Sequence, residues 1–225
     1  PPDLEIAQVQ QVTDETYRKM HTAPPFKAPS VHTDDFRTIL NHWGGSWMWD
    51  HTTIVGHYSW VAEAAAANTL HVATDGSYMR HLAPDTYATA FILECTEGRG
   101  QYIGSFASSG SSSNAYRGEL LGLLAISLVL RSVNTIYPEL HCSVPVYCDC
   151  EGAIKRIRSI PTYLIPTNAK HAKILKLFLS YQGPSTITPE KHHIKAHQDD
   201  LTNFERLSWL AQLNCECDYN AKSHL

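Results

Sequence analysis

Nowhere in this 225-residue chain do 18 apolar residues follow one another, so the sequence predicts no membrane-crossing helix and no membrane partner. The opening residues, Pro-Pro-Asp-Leu-Glu, carry no hydrophobic leader core and no initiator Met, and the chain reads as excised from something longer. Positive charge is not in excess either. Eighteen Lys and Arg stand against 22 Asp and Glu, for a net charge of −4 and a pI near 6.4. That excludes a general basic coat for nucleic acid but leaves room for a local basic face. Six cysteines are too few to build a fold of this length from disulfides. Reduced thiols and an intracellular setting, cytoplasmic or nuclear, follow. The Cys148-x-Cys150 and Cys215-x-Cys217 pairs are spaced too tightly for a structural zinc site, whose paired cysteines are separated by about two to four residues.

What is present suffices for a real core: 43% of the residues are hydrophobic. Residues 1–33 hold five prolines and little periodicity, and read as an extended arm or linker. A short helix is expected from Asp34 to His42, capped by Thr33 and ended by Gly44-Gly45. Trp43, Trp47, Trp49, Tyr58 and Trp60 follow. They read as a packing surface, with a base-stacking platform as the sharper alternative. Ser59–Asn68 is an Ala-rich helix. Residues 1–68 are thus expected to form an N-terminal arm or tether, and residues 69–225 the main domain.

From Leu70 the pattern turns to strands: Leu70–Tyr78, Thr86–Cys95 and Gln101–Ala107, the last two joined by a loop bearing Gly98 and Gly100. A Ser/Gly loop leads to a long helix, Ala115–Val133, capped by Ser113 or Asn114 and apolar nearly all round. Then come a fourth strand (Ser143–Cys148), helices at Glu151–Ser159 and Asn168–Tyr181, a fifth strand (His192–Ala196) and a last helix (Leu207–Ser223). The order β-β-β-α-β-α-α-β-α predicts an α/β fold, a five-stranded mixed sheet with strands one to three antiparallel and helices flanking it.

Four carboxylates stand out on this frame. Asp75 follows an apolar β-prone run and precedes Gly76-Ser77, although Asp-Gly is also a common turn. Glu119 lies in the first turns of the long helix. Asp149 ends the fourth strand, where the carboxyl edge of an α/β sheet presents its ligands. Asp218 lies in the last helix. The first three sit among apolar neighbours, and a carboxylate buried alone is costly. Taken singly, Asp149 could cap the following helix and Glu119 could serve the helix dipole. Taken together, clustered acids call for divalent cations, and all-oxygen ligation favours Mg²⁺ or Mn²⁺. Two such ions about 4 Å apart would clamp the attacking and leaving oxygens of a phosphodiester.

Thr74-Asp75-Gly76-Ser77, Arg117-x-Glu119-Leu120, Tyr147-Cys148-Asp149 and Asn214-x-x-Cys217-Asp218-x-x-Ala221, in this order and on these elements, resemble the ribonuclease H (RNase H) family. The likeness is greatest to the RNase H domains of retroelement (retrotransposon-type) reverse transcriptases and covers residues 69–225. It implies an RNase H-like fold and a two-metal endonuclease that hydrolyses the RNA strand of an RNA/DNA hybrid with Mg²⁺. It further implies a longer polyprotein that includes a polymerase domain. By the resemblance, Asp75, Glu119, Asp149 and Asp218 are metal ligands, and His197 is a mobile histidine that handles protons and product release. Asn214 supports the site, and Gly76, Ser77, Ser113 and Asn114 contact the substrate, whose RNA strand shows its 2′-hydroxyls. Two departures are visible: Met79–Pro84 replaces a glycine-rich turn, and the interval from His197 to Asn214 is long and holds Asp199, Asp200 and Glu205.

Residues 151–195 carry eight Lys and Arg against Glu151 and Glu190, within a chain of net charge −4. Lys170, Lys173 and Lys176 form a stripe on one predicted helix. The plain alternative is a solvated face; a phosphate-tracking surface suits the asymmetry. Two other functions share the fold: a DNA-cutting integrase or junction nuclease, and a non-catalytic connection domain. The latter would be expected to have lost the acids.

Overall fold

Runs of β-branched and aromatic residues set the sheet. In the computed structural model the described residues are 7–13, 16–21, 33–110, 113–159, 165, 169–180 and 185–225, with side chains described from residue 35 onward except at 49 and 50. The Trp49 side chain therefore lies outside the described residues, as does most of the proline-rich arm. Within that arm, β1 (Ala7–Thr13) and β2 (Thr16–His21) pair as an antiparallel hairpin.

The remaining elements are α1 (Thr33–His42), β3 (Thr52–Val55), α2 (Ser59–Ala66), β4 (Leu70–Ser77), β5 (Thr86–Cys95), β6 (Gln101–Ser109), α3 (Ala115–Ile136), β7 (Cys142–Cys148), α4 (Glu151–Arg158), α5 (Ala172–Ser180), β8 (Ile187–His193) and α6 (Trp209–Lys222). Strands β3-β6-β5-β4-β7-β8 form one six-stranded sheet. The first four run antiparallel in succession, whereas β7 lies parallel to β4 and β8 parallel to β7. The expected mixed sheet is present, with one strand more than expected.

The extra strand is β3. Its sequence, Thr-Thr-Ile-Val, is β-branched throughout, which suits a pleated surface, yet it lies in a segment read as aromatic packing alone. The last strand is also displaced. It was expected at His192–Ala196 but begins at Ile187, where Ile187 pairs with Cys142. Pro189 hid it, because proline is tolerated only where its missing amide is not needed; β8 is a border strand and meets that condition.

Successive residues of β4 face opposite sides. Leu70 and Val72 join the large hydrophobic cluster under α3, and Ala73 joins a smaller one with Leu213 and Cys217 of α6. Helix α3 is therefore enclosed by the sheet, α1 and α5. By length and composition it could cross a membrane, with a mean hydropathy of 1.5 over 18 residues, but 67% of that window is buried inside the protein. Its apolar circumference is that of a core helix, which a search for unbroken apolar runs does not detect.

The expected boundary between residues 68 and 69 runs through this same core. Phe36, Leu40, Met48, Tyr58, Trp60 and Val61 are buried in the cluster that holds α3. Phe36 stacks on Tyr58 at 3.8 Å between centroids. Trp43 Nε1 donates to Thr135 Oγ1 at 3.2 Å, and the Arg131 guanidinium lies 4.4 Å over the Trp43 ring. Of the two readings of these aromatics, packing is the one the burial of Tyr58 and Trp60 matches.

Candidate functional site

Two strands, β4 and β7, and two helices, α3 and α6, bring the site together. At the carboxyl ends of the parallel strands β4 and β7, Thr74 pairs with Cys148, so Asp75 and Asp149 leave neighbouring strands side by side. The Thr74 hydroxyl donates to Ala90 O at 2.7 Å and the Thr89 hydroxyl to Asp75 O at 3.0 Å, tying β4 to β5 on both sides of Asp75.

Helix α3 is seated on these strands through its glycines. A Cβ at Gly118 would lie 2.4 Å from Ala88 O, and one at Gly122 would lie 2.0 Å from Thr74 Oγ1. Gly76 faces the helix from the strand side, where a Cβ would lie 2.4 Å from the Glu119 nitrogen. The requirement for glycine at 76 thus comes from helix packing, and its backbone also lines the cleft described below. This close approach delivers Glu119, on the fifth residue of α3, to the sheet's edge.

Glu119 is 3% exposed and Asp75 5%. The Gly76 amide donates to Asp75 Oδ1 at 2.6 Å and to Glu119 Oε1 at 2.8 Å. The Cys148 thiol donates to Glu119 Oε2 at 3.4 Å. Glu119 therefore spends its oxygens across the site, not on its helix's own amides. Asp149 does not cap α4 either: the cap position is Cys150, without a side-chain hydrogen bond. Neither Asp149 nor Glu119 caps a helix among the described residues.

Asp75, Glu119, Asp149 and Asp218 line one open cleft of about 430 Å³, together with Gly76, Ser77, Tyr78, Tyr116, Cys150, His197 and Lys222. Ligand atoms of Glu119, Cys148 and Asp149 lie within 4.8 Å of one another. Burial foremost, then the Asp149 charge, pushes the Asp75 carboxyl up from 3.8 to about 7. Burial and the charges of Asp75 and Asp149 raise Glu119 well above its ordinary value. Asp149 is raised by burial, with His197 opposing and Asp218 adding to the rise. Crowded acids of this kind are a proton trap or a cation site. The donors are hard carboxylate oxygens around an open space, which fits a Mg²⁺- or Mn²⁺-type ion.

His197 has a left-handed backbone (φ +48°), and its Nδ1 lies 3.9 Å from Asp218 Oδ2 with the side chain 55% exposed. Its neighbour is thus Asp218. Asp199, Asp200 and Glu205 do not line the cleft among the described residues; Asp199 instead accepts from the Cys215 thiol at 3.4 Å.

The other expected contacts divide. Ser77 lines the cleft. Asn114 caps α3 by accepting from the Arg117 amide at 2.9 Å, and the Ser113 hydroxyl donates to Asp85 O and Gly110 O; both side chains are occupied in the loop. Asn214 is 2% exposed and lies outside the cleft, so it offers no surface to a ligand. Lys170, Lys173 and Lys176 are exposed on one side of α5 and the turn before it, outside the cleft but beside it: the His171 ring lies 5.2 Å from that of Tyr116.

Sequence reading missed Lys222, Tyr116 and the cysteines beside Asp149. Lys222 had a signal, since it follows Asp218 by four residues on one helix. All six cysteines are free thiols, and no four-cysteine group occurs among the described residues.

No protein-family profile matches the chain, and no curated protein sequence matches it. Among solved structures it is similar to the Prototype Foamy Virus protease-reverse transcriptase, at 16% identity and a TM-score of 0.49 over 69% of this chain and 20% of that one. It is similar to LC11-RNase H1 in complex with an RNA/DNA hybrid, at 14% identity and a TM-score of 0.43, covering 68% and 94%. It is also similar to RNase H1 from Halobacterium salinarum, at 13% identity and a TM-score of 0.38, covering 58% and 89%. The chain spans about a fifth of the foamy virus chain.

Proposed function

We propose that this chain is a metal-dependent endonuclease of the RNase H type, hydrolysing the RNA strand of RNA/DNA hybrids as part of a reverse-transcriptase polyprotein inside the cell. The observation that carries this reading is the convergence of four carboxylates from β4, α3, the end of β7 and α6 on one open cleft. Divalent ions held by Asp75, Glu119, Asp149 and Asp218 would supply Lewis acidity and an activated water for phosphodiester hydrolysis.

The chain's own residues set the rest. Asp75 sits on a central strand tied to β5 by the Thr74 and Thr89 hydroxyls. Glu119 is held by the Gly76 amide and the Cys148 thiol, and orients its carboxylate toward Asp149. Exposed His197, beside Asp218, can carry a proton between the site and solvent. The Lys170–Lys173–Lys176 stripe offers a path for the hybrid's phosphates toward the cleft.

The deciding experiment is Mg²⁺-dependent cleavage of a labelled RNA/DNA hybrid, with duplex DNA and duplex RNA as comparisons. Asp149→Asn and Asp75→Asn should lower cleavage by at least about 10³-fold while the far-ultraviolet circular dichroism stays that of the parent. Full activity of Asp149→Asn overturns the assignment, and cleavage of duplex DNA alone redirects it to an integrase-like substrate.

A further inference from the structure

Besides four acids, the cleft contains one primary amine. Lys222 lies one turn beyond Asp218 on α6, and its Nζ is 2.5 Å from Asp218 Oδ2. Spacing of four residues places both on one helix face. Exposed pairs of this kind contribute little, but the setting here is different. The Asp218 side chain is only 17% exposed, and it shares its cleft with Asp75, Glu119 and Asp149.

The same Oδ2 atom that meets Lys222 also faces His197 Nδ1. A divalent ion would need a carboxylate oxygen at roughly 2.0–2.6 Å. An ammonium in contact with that oxygen competes with a divalent ion bound to it, because two cations at such spacing repel. Lys222 reaches the cleft from the helix's last turn, and its side chain is 43% exposed, so it can swing into solvent without repacking the core.

We propose that Lys222 is the resident cation of the Asp218 end of the cleft: it neutralises that carboxylate until a divalent ion displaces it, and thereby sets the affinity of the weaker of two ion sites. This rests on the ion-binding reading above. Asp75, Glu119 and Asp149 then form the tighter site, with no built-in competitor, and the second ion binds only by exchanging with the lysine.

The test is Mn²⁺ binding to the full chain without nucleic acid, followed by calorimetry and by electron paramagnetic resonance. Lys222→Met and Lys222→Gln should each tighten the weaker Mn²⁺ site by about tenfold, and Lys222→Arg should leave it as in the parent. In EDTA, Lys222→Met should melt below the parent and gain more than the parent from added Mn²⁺. Isotherms of the neutral variants that overlay the parent's overturn the proposal while leaving the ion site intact. A parent chain that shows no Mn²⁺ binding sensitive to Asp75→Asn overturns the ion-binding reading, and this proposal with it.

Discussion

Asp75 and Glu119 accept from one donor, the Gly76 amide, at 2.6 Å and 2.8 Å. Two buried carboxylates sharing a single N–H are poorly paid when both are ionised. With Asp75 at about 7 in the fold and 3.8 as its ordinary value, the native state holds a proton that the unfolded chain has already lost. Its stabilising contribution is complete below the unfolded value and disappears as pH rises through about 7. In EDTA the melting temperature should therefore fall between about pH 4 and pH 7, at up to about 1.4 kcal/mol per pH unit for one carboxyl. Mg²⁺ should reverse the loss at the upper end, and Asp75→Asn should flatten the slope. A melt in EDTA that does not change over this range would refute the arrangement.

Gly122→Ala gives a second test. In an exposed helix this change stabilises by about 1 kcal/mol. Here the added methyl meets Thr74 Oγ1 at 2.0 Å and Thr89 Oγ1 at 2.5 Å, and both hydroxyls are committed to strand β4's hold on β5. The expected result is a loss of about 1–3 kcal/mol in urea denaturation, with reduced activity because Glu119 rides on the same helix.

The segment before β4 belongs to the core. Phe36 is fully buried and stacked on Tyr58, so Phe36→Ala should cost about 3–5 kcal/mol. A chain that starts at residue 69 also exposes the outer edge of β6 and the α3 surface under Trp43. It should be recovered unfolded or aggregated, which soluble expression and circular dichroism would show.

Replacing Lys170, Lys173 and Lys176 together by Ala should weaken hybrid binding alike for all sequences. It should reduce the dependence of log affinity on log salt by roughly one unit per lost phosphate contact. Binding that is unchanged at every salt concentration would return the stripe to an ordinary solvated face.

Some of this was legible in the sequence, and the parts that were share a cause. Three of the four acids, Asp75, Glu119 and Asp149, stand at positions fixed by local pattern: the end of an apolar run, the start of a capped helix, the last residue before a strand-to-helix turn. Local pattern also placed α2, β4, β5 and the start of α3. What it could not give were consequences of partners distant in the chain. Four residues, Thr52–Val55, become a strand only because β6 offers them an edge, and Ile187–His193 tolerates Pro189 only as a border. Gly76 looked like backbone shaped for a ligand, but its missing side chain also makes room for α3, which begins at Ala115 far along the chain. Asn114 and Ser113 are polar residues with local employment, which no motif distinguishes from contact with a substrate.

The borders of the sheet carry one more implication. Among the described residues its two outermost strands are β3 and β8. One is only four residues long. The other interrupts its amide row at Pro189 and sets Glu190 and Lys191 next to it. Short, charged and proline-broken margins are poor templates for the strand of a second chain, so the long antiparallel ladder at the centre of the sheet is not offered for extension at either side.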